Sequence, residues 1–239
     1  MKALLLPLLP LLPCWSLAQD HGAHSAWTFK LTPSVYSNQS APSATDLNLR
    51  GNLGPHALWI GQYRQSGFGE QMRTGYEYTA SPAWGQLVYS VQAAQRGFAG
   101  GSLTAQIGHE VYAIAGWGRT NLRSYYNLNF DPNDAIAWGM GGWWGSRHQF
   151  SLFRIQDDRL HTGQRVTHLV WHFHPDDKHR LSLDLSNKRG RTAAEGPWLK
   201  GESLSLTWDW NPYFVRLATD RKVNFTDDNQ KRLSLGWRF

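Results

Sequence analysis

The chain has 239 residues, with 24 Lys and Arg against 18 Asp and Glu and a formal net charge of +6 at neutral pH. That length suits one sizeable domain or two small ones, and a single cysteine excludes a disulfide-stapled scaffold or a multi-cysteine metal site. The basic residues stand singly among apolar ones rather than in a tail or along a helix face, so the charge does not point to nucleic acid.

Residues 1–18, MKALLLPLLPLLPCWSLA, carry Lys2, a leucine-rich run from Leu4 to Leu12 and the small-x-small triplet Ser16-Leu17-Ala18. This is the pattern of a secretory signal peptide cleaved after Ala18. The apolar run is short and broken by prolines, whereas a membrane helix needs about 20 apolar residues. Pro13 stands where a lipoprotein signal wants a small residue before its cysteine, so Cys14 leaves with the signal and the mature chain has no thiol. The domain is then read as 19–239.

Beyond the signal, period-2 segments separated by turn residues run the whole length, and no amphipathic helix interrupts them. Leu47, Leu49, Gly51 and Leu53 alternate with Asn48, Arg50 and Asn52. Met72, Thr74, Tyr76 and Tyr78 alternate with Arg73, Gly75 and Glu77, and Leu87, Tyr89, Val91 and Ala93 with Gln86, Ser90 and Gln92. Ile136, Trp138, Met140 and Trp144 stand against Ala137, Gly139 and Gly141. Later, Leu169, Trp171 and Phe173 oppose His168, His172 and His174, and Leu181, Leu183 and Leu185 oppose Arg180, Ser182, Asp184 and Ser186. Leu204, Leu206, Trp208 and Trp210 oppose Ser203, Ser205, Thr207 and Asp209, and Val215 and Leu217 oppose Arg216 and Asp220. Four segments, 57–65, 101–109, 111–120 and 148–157, break parity, which predicts bulges or displaced boundaries there.

The connections alternate between tight turns (54–55, 81–84, 109–111, 145–147, 175–178, 211–212) and longer polar stretches (37–45, 66–71, 121–134, 158–164, 187–201, 224–230). Together with 13 Trp, 10 Phe and 9 Tyr in a chain with no apolar helix, this predicts an all-β fold: a transmembrane, antiparallel, up-and-down β-barrel of about 14 strands, or 12 if two of the noisier segments do not span. A soluble sandwich also alternates, but its second face would have to pack Arg, Asp, His and Ser against a core.

The chain ends in KRLSLGWRF, where Leu233, Leu235, Trp237 and Phe239 alternate with Arg232, Ser234, Gly236 and Arg238. This ending resembles that of the small outer-membrane β-barrel proteins of Gram-negative bacteria, in which an aromatic final residue with apolar residues at alternating positions before it is read by the barrel-assembly machinery. The Thr226-Asp227-Asp228 loop and the WRF ending are also similar to the YaiO-type barrel family, and nothing further is carried over from that likeness. The resemblance implies a multi-pass protein of the outer membrane, in contact with lipid and lipopolysaccharide. It implies no activity.

Parity gives a candidate lumen: Lys30, Arg50, Arg73, Glu77, His168, His172, His174, Arg180, Asp184, Asp209, Arg216, Asp220, Arg232 and Arg238. Basic groups outnumber acidic ones, so the expected function is a small porin-like channel for anionic or sugar-like solutes, or a surface protein; the alternative is that the charges pair across the lumen as a structural plug. A tight turn at Asp176-Asp177-Lys178 would pair His172 with Ser182 and His168 with Ser186, with Asp184 on the diagonal between the histidines. Ser182 or Ser186, His168 or His172, and Asp184 thus make a candidate hydrolase set of the kind outer-membrane lipid-modifying enzymes use, although inward-facing serines near a turn are poorly placed for lipid. Two histidines alone do not complete a metal site, and no cofactor is expected.

Segment 122–134, LRSYYNLNFDPND, interleaves Tyr125, Tyr126 and Phe130 with Asn127, Asn129, Asp131, Asn133 and Asp134. On an outer loop, that composition suits carbohydrate stacking or a Ca²⁺ ion at Asp131–Asp134, against the plainer reading of an Asx-rich loop folded on itself. Lys188, Arg189, Arg191 and Lys200 are placed to meet lipid phosphates.

Overall fold

The computed structural model describes residues 26–128 and 131–239. The signal peptide read over residues 1–18, and Asn129 and Phe130, lie outside the described residues. The strands in chain order are β1 (Thr28–Asn38), β2 (Ala44–Leu53), β3 (His56–Gln65), β4 (Gly69–Ala80), β5 (Gly85–Ala94), β6 (Phe98–Gly108), β7 (Val111–Thr120), β8 (Ala135–Trp144), β9 (His148–Asp157), β10 (Arg165–Phe173), β11 (His179–Gly190), β12 (Leu199–Trp210), β13 (Tyr213–Asp220) and β14 (Gln230–Arg238). Each pairs antiparallel with its chain neighbours, and β14 pairs with β1 to close a barrel of 14 strands. At the seam the Phe29 amide donates to the Phe239 carbonyl at 2.7 Å, and the Phe239 amide donates to the Phe29 carbonyl at 3.0 Å. Higher on the same seam the Ser34 and Ser234 hydroxyls meet at 2.8 Å.

β1 begins and β14 ends at the end of the barrel that carries the tight turns, called here the turn end. The longer connections gather at the opposite, loop end. Along each strand the apolar row faces out: Leu47, Leu58, Leu152, Leu169, Leu206, Leu217 and Leu235 all remain well exposed. The alternate row faces in, so Ser34, Asp46, Gln92, Gln106, Gln149, Ser151 and Thr207 are buried. This inverts the usual arrangement of a water-soluble domain.

The parity breaks do not mark bulges. Strands β3, β6, β7 and β9 pair in unbroken register with their neighbours. Alternation is blurred because part of the inward face is itself apolar. Tyr112, Ile114, Ala135, Ala137, Phe153, Ile155 and Val170 form a buried cluster inside β7–β10, so a strand there is apolar on both faces. In β3 the inward positions hold Tyr63, fully buried, while Arg64 points out. The count of 14 therefore stands and the 12-strand alternative falls.

The 187–201 stretch is also less of a loop than its composition suggests. β11 runs on to Gly190 and β12 starts at Leu199, which places Lys188 on the inward face. It is 2% exposed and ion-paired with Asp220, so it is a lumen residue and not one that meets lipid phosphate.

Similar ion pairs brace the inner wall across two strands. Arg50 on β2 reaches Glu77 on β4 at 2.7 Å, and Arg73 on β4 reaches Asp46 on β2 at 2.7 Å. Gly61 on the intervening β3 makes room for the second pair. A Cβ on Gly61 would meet the Arg73 guanidinium at 3.0 Å, tighter than ordinary contact. At the turn end Asp209 accepts a bidentate pair of bonds from Arg238, at 2.8 and 2.6 Å, and a third from Arg180 at 3.0 Å.

Gly236 sits opposite Phe214, and any Cβ there would overlap the Phe214 ring. Overpacking of this kind costs about 1–3 kcal/mol. The folded barrel should shift its gel mobility on heating, and Gly236→Leu should lower the temperature of that shift; an unchanged temperature would show that the Phe214 ring is not held against the seam.

Candidate functional site in the lumen

Segment 121–134 joins β7 to β8 and folds into the barrel mouth. Both of its ends are pinned. Asn121 accepts a bond from the Ala99 amide at 3.1 Å and donates to the Gly97 carbonyl at 2.7 Å. The Asp134 carboxylate accepts from the Thr120 amide at 3.2 Å, the Thr120 hydroxyl at 2.6 Å and Arg159 Nη1 at 2.8 Å.

Between these pins the segment docks on opposite sides of the ring. Tyr125 stacks on Phe98 of β6 with centroids 4.3 Å apart, and Tyr126 stacks on Tyr63 of β3 at 4.4 Å. The Gln71 amide side chain copies a strand partner: its Oε1 accepts from the Tyr126 amide at 2.7 Å and its Nε2 donates to the Tyr126 carbonyl at 3.0 Å. Leu128 packs with Tyr36, Ala44 and Tyr63. Across the barrel, His168 Nε2 on β10 meets Asp131 Oδ1 at 3.0 Å. Because β3 and β10 stand opposite each other in the ring, the segment crosses the lumen. Burial raises the phenol pKa values of both Tyr125 and Tyr126, outweighing the neighbouring Arg73 in the case of Tyr125.

The residues expected to display a surface binding loop are therefore placed inside. Tyr125, Asn133 and Asp134 are buried, and the ring faces of Tyr125 and Tyr126 are engaged by protein. Asp131 and Asp134 point to different partners, His168 in one case and Thr120 with Arg159 in the other.

The β10–β11 register pairs His172 with Ser182 and His168 with Ser186. His172 Nδ1 lies 2.8 Å from the Ser182 hydroxyl, and Asp184 lies 3.0 Å from His168 Nδ1. The serine contact and the carboxylate contacts thus fall on different histidines. His168, with a carboxylate at each ring nitrogen and Phe153 stacked at 4.8 Å, is arranged to donate twice, as a brace between wall and segment. A continuous Ser–His–Asp relay is not assembled.

Elsewhere in the lumen, Arg216 Nε donates to the Thr207 hydroxyl at 3.0 Å, Arg232 reaches the Leu128 carbonyl at 3.5 Å, and Lys30 stands 5.8 Å from the Phe214 ring. His174 lies just beyond β10 against Trp143; burial and then the nearby Arg180 charge lower its pKa. Sequence reasoning passed over Tyr63, Phe98, Gln71 and Asp46. Asp46 shares the parity of Asn48 and Arg50 and could have been found from it, but no sequence signal tied Gln71 or Phe98 to a segment some tens of residues away.

No family model and no curated protein matches this chain. Among solved structures it is similar to the outer membrane protein Omp33 of Acinetobacter baumannii, with a TM-score of 0.56 at 7% identity over 91% of this chain and 100% of that one. The KdgM porin matches with a TM-score of 0.48 at 6% identity over 88% of this chain and 99% of that one. At such identities the first likeness shows the barrel fold alone, and the second adds no argument.

Two outcomes are expected. His168→Ala removes the brace and leaves the Asp131 and Asp184 carboxylates without it, a loss of ~1–3 kcal/mol; segment 123–132 should then be cut faster by protease in the unheated barrel, and an unchanged rate would show that the brace does not hold it. The His174 ring should titrate below the ordinary imidazole range by NMR. Arg180→Gln should raise that midpoint only in part, because burial is the larger cause. Since the folded value is depressed, the stability His174 contributes is present above the ordinary imidazole pKa and is lost as the pH falls through the folded value.

Proposed function

We propose that the protein is a channel of the Gram-negative outer membrane, with the loop end facing out of the cell and the turn end facing the periplasm. The observation that carries this reading is a closed barrel with an apolar exterior and a polar interior, crossed by segment 121–134. An exterior of half-exposed leucines suits hydrocarbon rather than water, and only closed barrels and helices satisfy every backbone group there. The carboxyl-terminal strand supports insertion by the barrel-assembly machinery.

The inward wall carries Lys30, Arg50, Arg73, Arg180, Lys188, Arg216, Arg232 and Arg238 against Asp46, Glu77, Asp157, Asp184, Asp209 and Asp220. That surplus favours small anionic or sugar-like solutes in a narrow aqueous path. Segment 121–134 sets the width, with Tyr125 and Tyr126 acting as its anchors. The Asp131 and Asp134 carboxylates are committed to protein partners, so no calcium role is proposed. A second reading, a lipid hydrolase, has the His172–Ser182 contact in its favour.

Planar-bilayer recording tests the channel. Ohmic steps biased toward anions are expected, and deletion of residues 123–132 should raise the conductance several-fold. Silence from both proteins would overturn the channel, and lipid hydrolysis abolished by Ser182→Ala would establish the hydrolase in its place.

A further inference from the structure

The outer wall holds an unexpected row of cations at the loop end. Arg165 on β10 pairs in register with Arg189 on β11, and Arg189 pairs with Lys200 on β12. All three have outward parity, opposite to the buried Val166, Lys188 and Gly201 beside them. Arg154 on β9, opposite Thr167, extends the patch one row toward the turn end. Like charges placed directly across an antiparallel pair destabilise it, and here two such pairs are consecutive. Among the described residues, none of the ion pairs involves Arg154, Arg165, Arg189, Arg191 or Lys200, whereas outward-facing Arg64 and Arg119 are paired with Glu70 and Asp158. Glu195 and Glu202, close in the chain to Arg191 and Lys200, join none of the ion pairs among the described residues.

Tryptophans back three of the arginines in this patch. The guanidinium groups of Arg189 and Arg191 lie 4.7 and 4.9 Å from the Trp198 ring centroid, and that of Arg154 lies 5.5 Å from Trp138. Arg191 Nη2 donates to the His161 carbonyl at 3.1 Å and Arg154 Nε to the Thr167 hydroxyl at 3.0 Å, which leaves Arg165, Arg189 and Lys200 as the cations of the row for a phosphate, whose oxygens a guanidinium matches.

The rows beneath have an order of their own. Thr167, Asn187 and Glu202 lie in register next to the cation row on the outward face, a polar layer. Leu169, Leu185 and Leu204 follow, and then Trp171, Leu183 and Leu206, an apolar field. The first leucine row lies four positions along the strand from the cation row, ~13 Å along the wall.

We propose that this face binds a phosphorylated glycolipid of the lipid A type, with phosphate on Arg165, Arg189 and Lys200, sugar hydroxyls and amides on Thr167, Asn187 and Glu202, and acyl chains along the leucines. A polar layer between cations and leucines fits a sugar carrying both phosphate and acyl chains better than a glycerophospholipid, whose phosphate lies closer to its chains. The assignment rests on the reading of the loop end as the end in the outer leaflet.

The test is native mass spectrometry of the folded, full-length mature barrel in detergent with bis-phosphorylated lipid A, its dephosphorylated form, phosphatidylethanolamine, or inorganic phosphate as competitor. The expected result is retention of the phosphorylated lipid A alone, lowered roughly tenfold in Arg165→Gln/Arg189→Gln/Lys200→Gln and unchanged in Arg64→Gln. Heat-shifted gel mobility checks that each variant is folded, and Lys200→Gln alone should show a partial loss if the triple variant does not fold. Equal retention by parent and folded triple variant, or retention of the dephosphorylated form, would overturn the site. Preferential retention of phosphatidylethanolamine would assign it to phospholipid instead, and displacement by inorganic phosphate at matched concentration would reduce it to a simple anion site. Bilayer conductance, which the outward-facing substitutions should leave unchanged, tests the channel reading separately.

Discussion

Closure of the sheet is the constraint on which the rest depends. A strand left at an edge carries a row of unpaired amides and carbonyls, which hydrocarbon cannot satisfy and which in water invites association. The chain removes both edges at once by returning β14 to β1, down to the reciprocal backbone bonds between Phe29 and Phe239. Closure then forces every strand to present one face outward and one inward, so each pair of consecutive residues is divided between two solvents. The contrast is sharpest on β11, where buried Lys188 bonds Asp220 inside while its neighbour Arg189 lies against Trp198 outside.

The inward face creates the second problem, because charges withdrawn from bulk water must find partners. Bracing pairs that skip a strand solve it, and beneath Arg73 the lack of a side chain at Gly61 gives the guanidinium its room. The same economy holds segment 121–134. Its backbone would be unsatisfied in the barrel mouth if Gln71 did not copy a strand partner and Asp134 did not cap its exit. The segment is thus part of the lumen wall, and its aromatic rings serve packing before they serve any solute.

Much of this was legible in the sequence, and the limits have physical causes. The strand count, the inward parity of Arg50, Glu77, Asp184 and Asp209, and the His168–Ser186 and His172–Ser182 register all follow from a period of two, because one slipped residue would turn every leucine inward. Parity failed where Tyr112, Ile114, Phe153 and Ile155 make the lumen itself apolar, since alternation carries no signal when both faces are alike. Segment 122–134 was legible in composition but not in direction. Tyr-Tyr with Asn and Asp suits an exposed loop as well as one stacked on Phe98 and Tyr63, and the choice lies with partners distant in the chain. The candidate Ser–His–Asp set had the right residues in the right register, yet Asp184 turned to His168 while Ser182 took His172.

The two ends of the outer wall are built for different surroundings. At the turn end His148, Phe150, Trp171 and Phe173 stack on one another, Trp208, Trp210 and Tyr213 lie close by, and Trp237 rests against Phe239. Such rings sit well where hydrocarbon gives way to water and ask for no particular charge. At the loop end the outward tryptophans Trp117, Trp138 and Trp198 each have an arginine over the ring, so the same residue type there supports a cation. A wall with aromatics at one rim and aromatic-backed arginines at the other is not symmetric with respect to a bilayer. It would favour the orientation that sets the arginines among phosphates, and under the proposed topology the seam at Phe239 that closes the barrel then lies at the opposite, periplasmic rim.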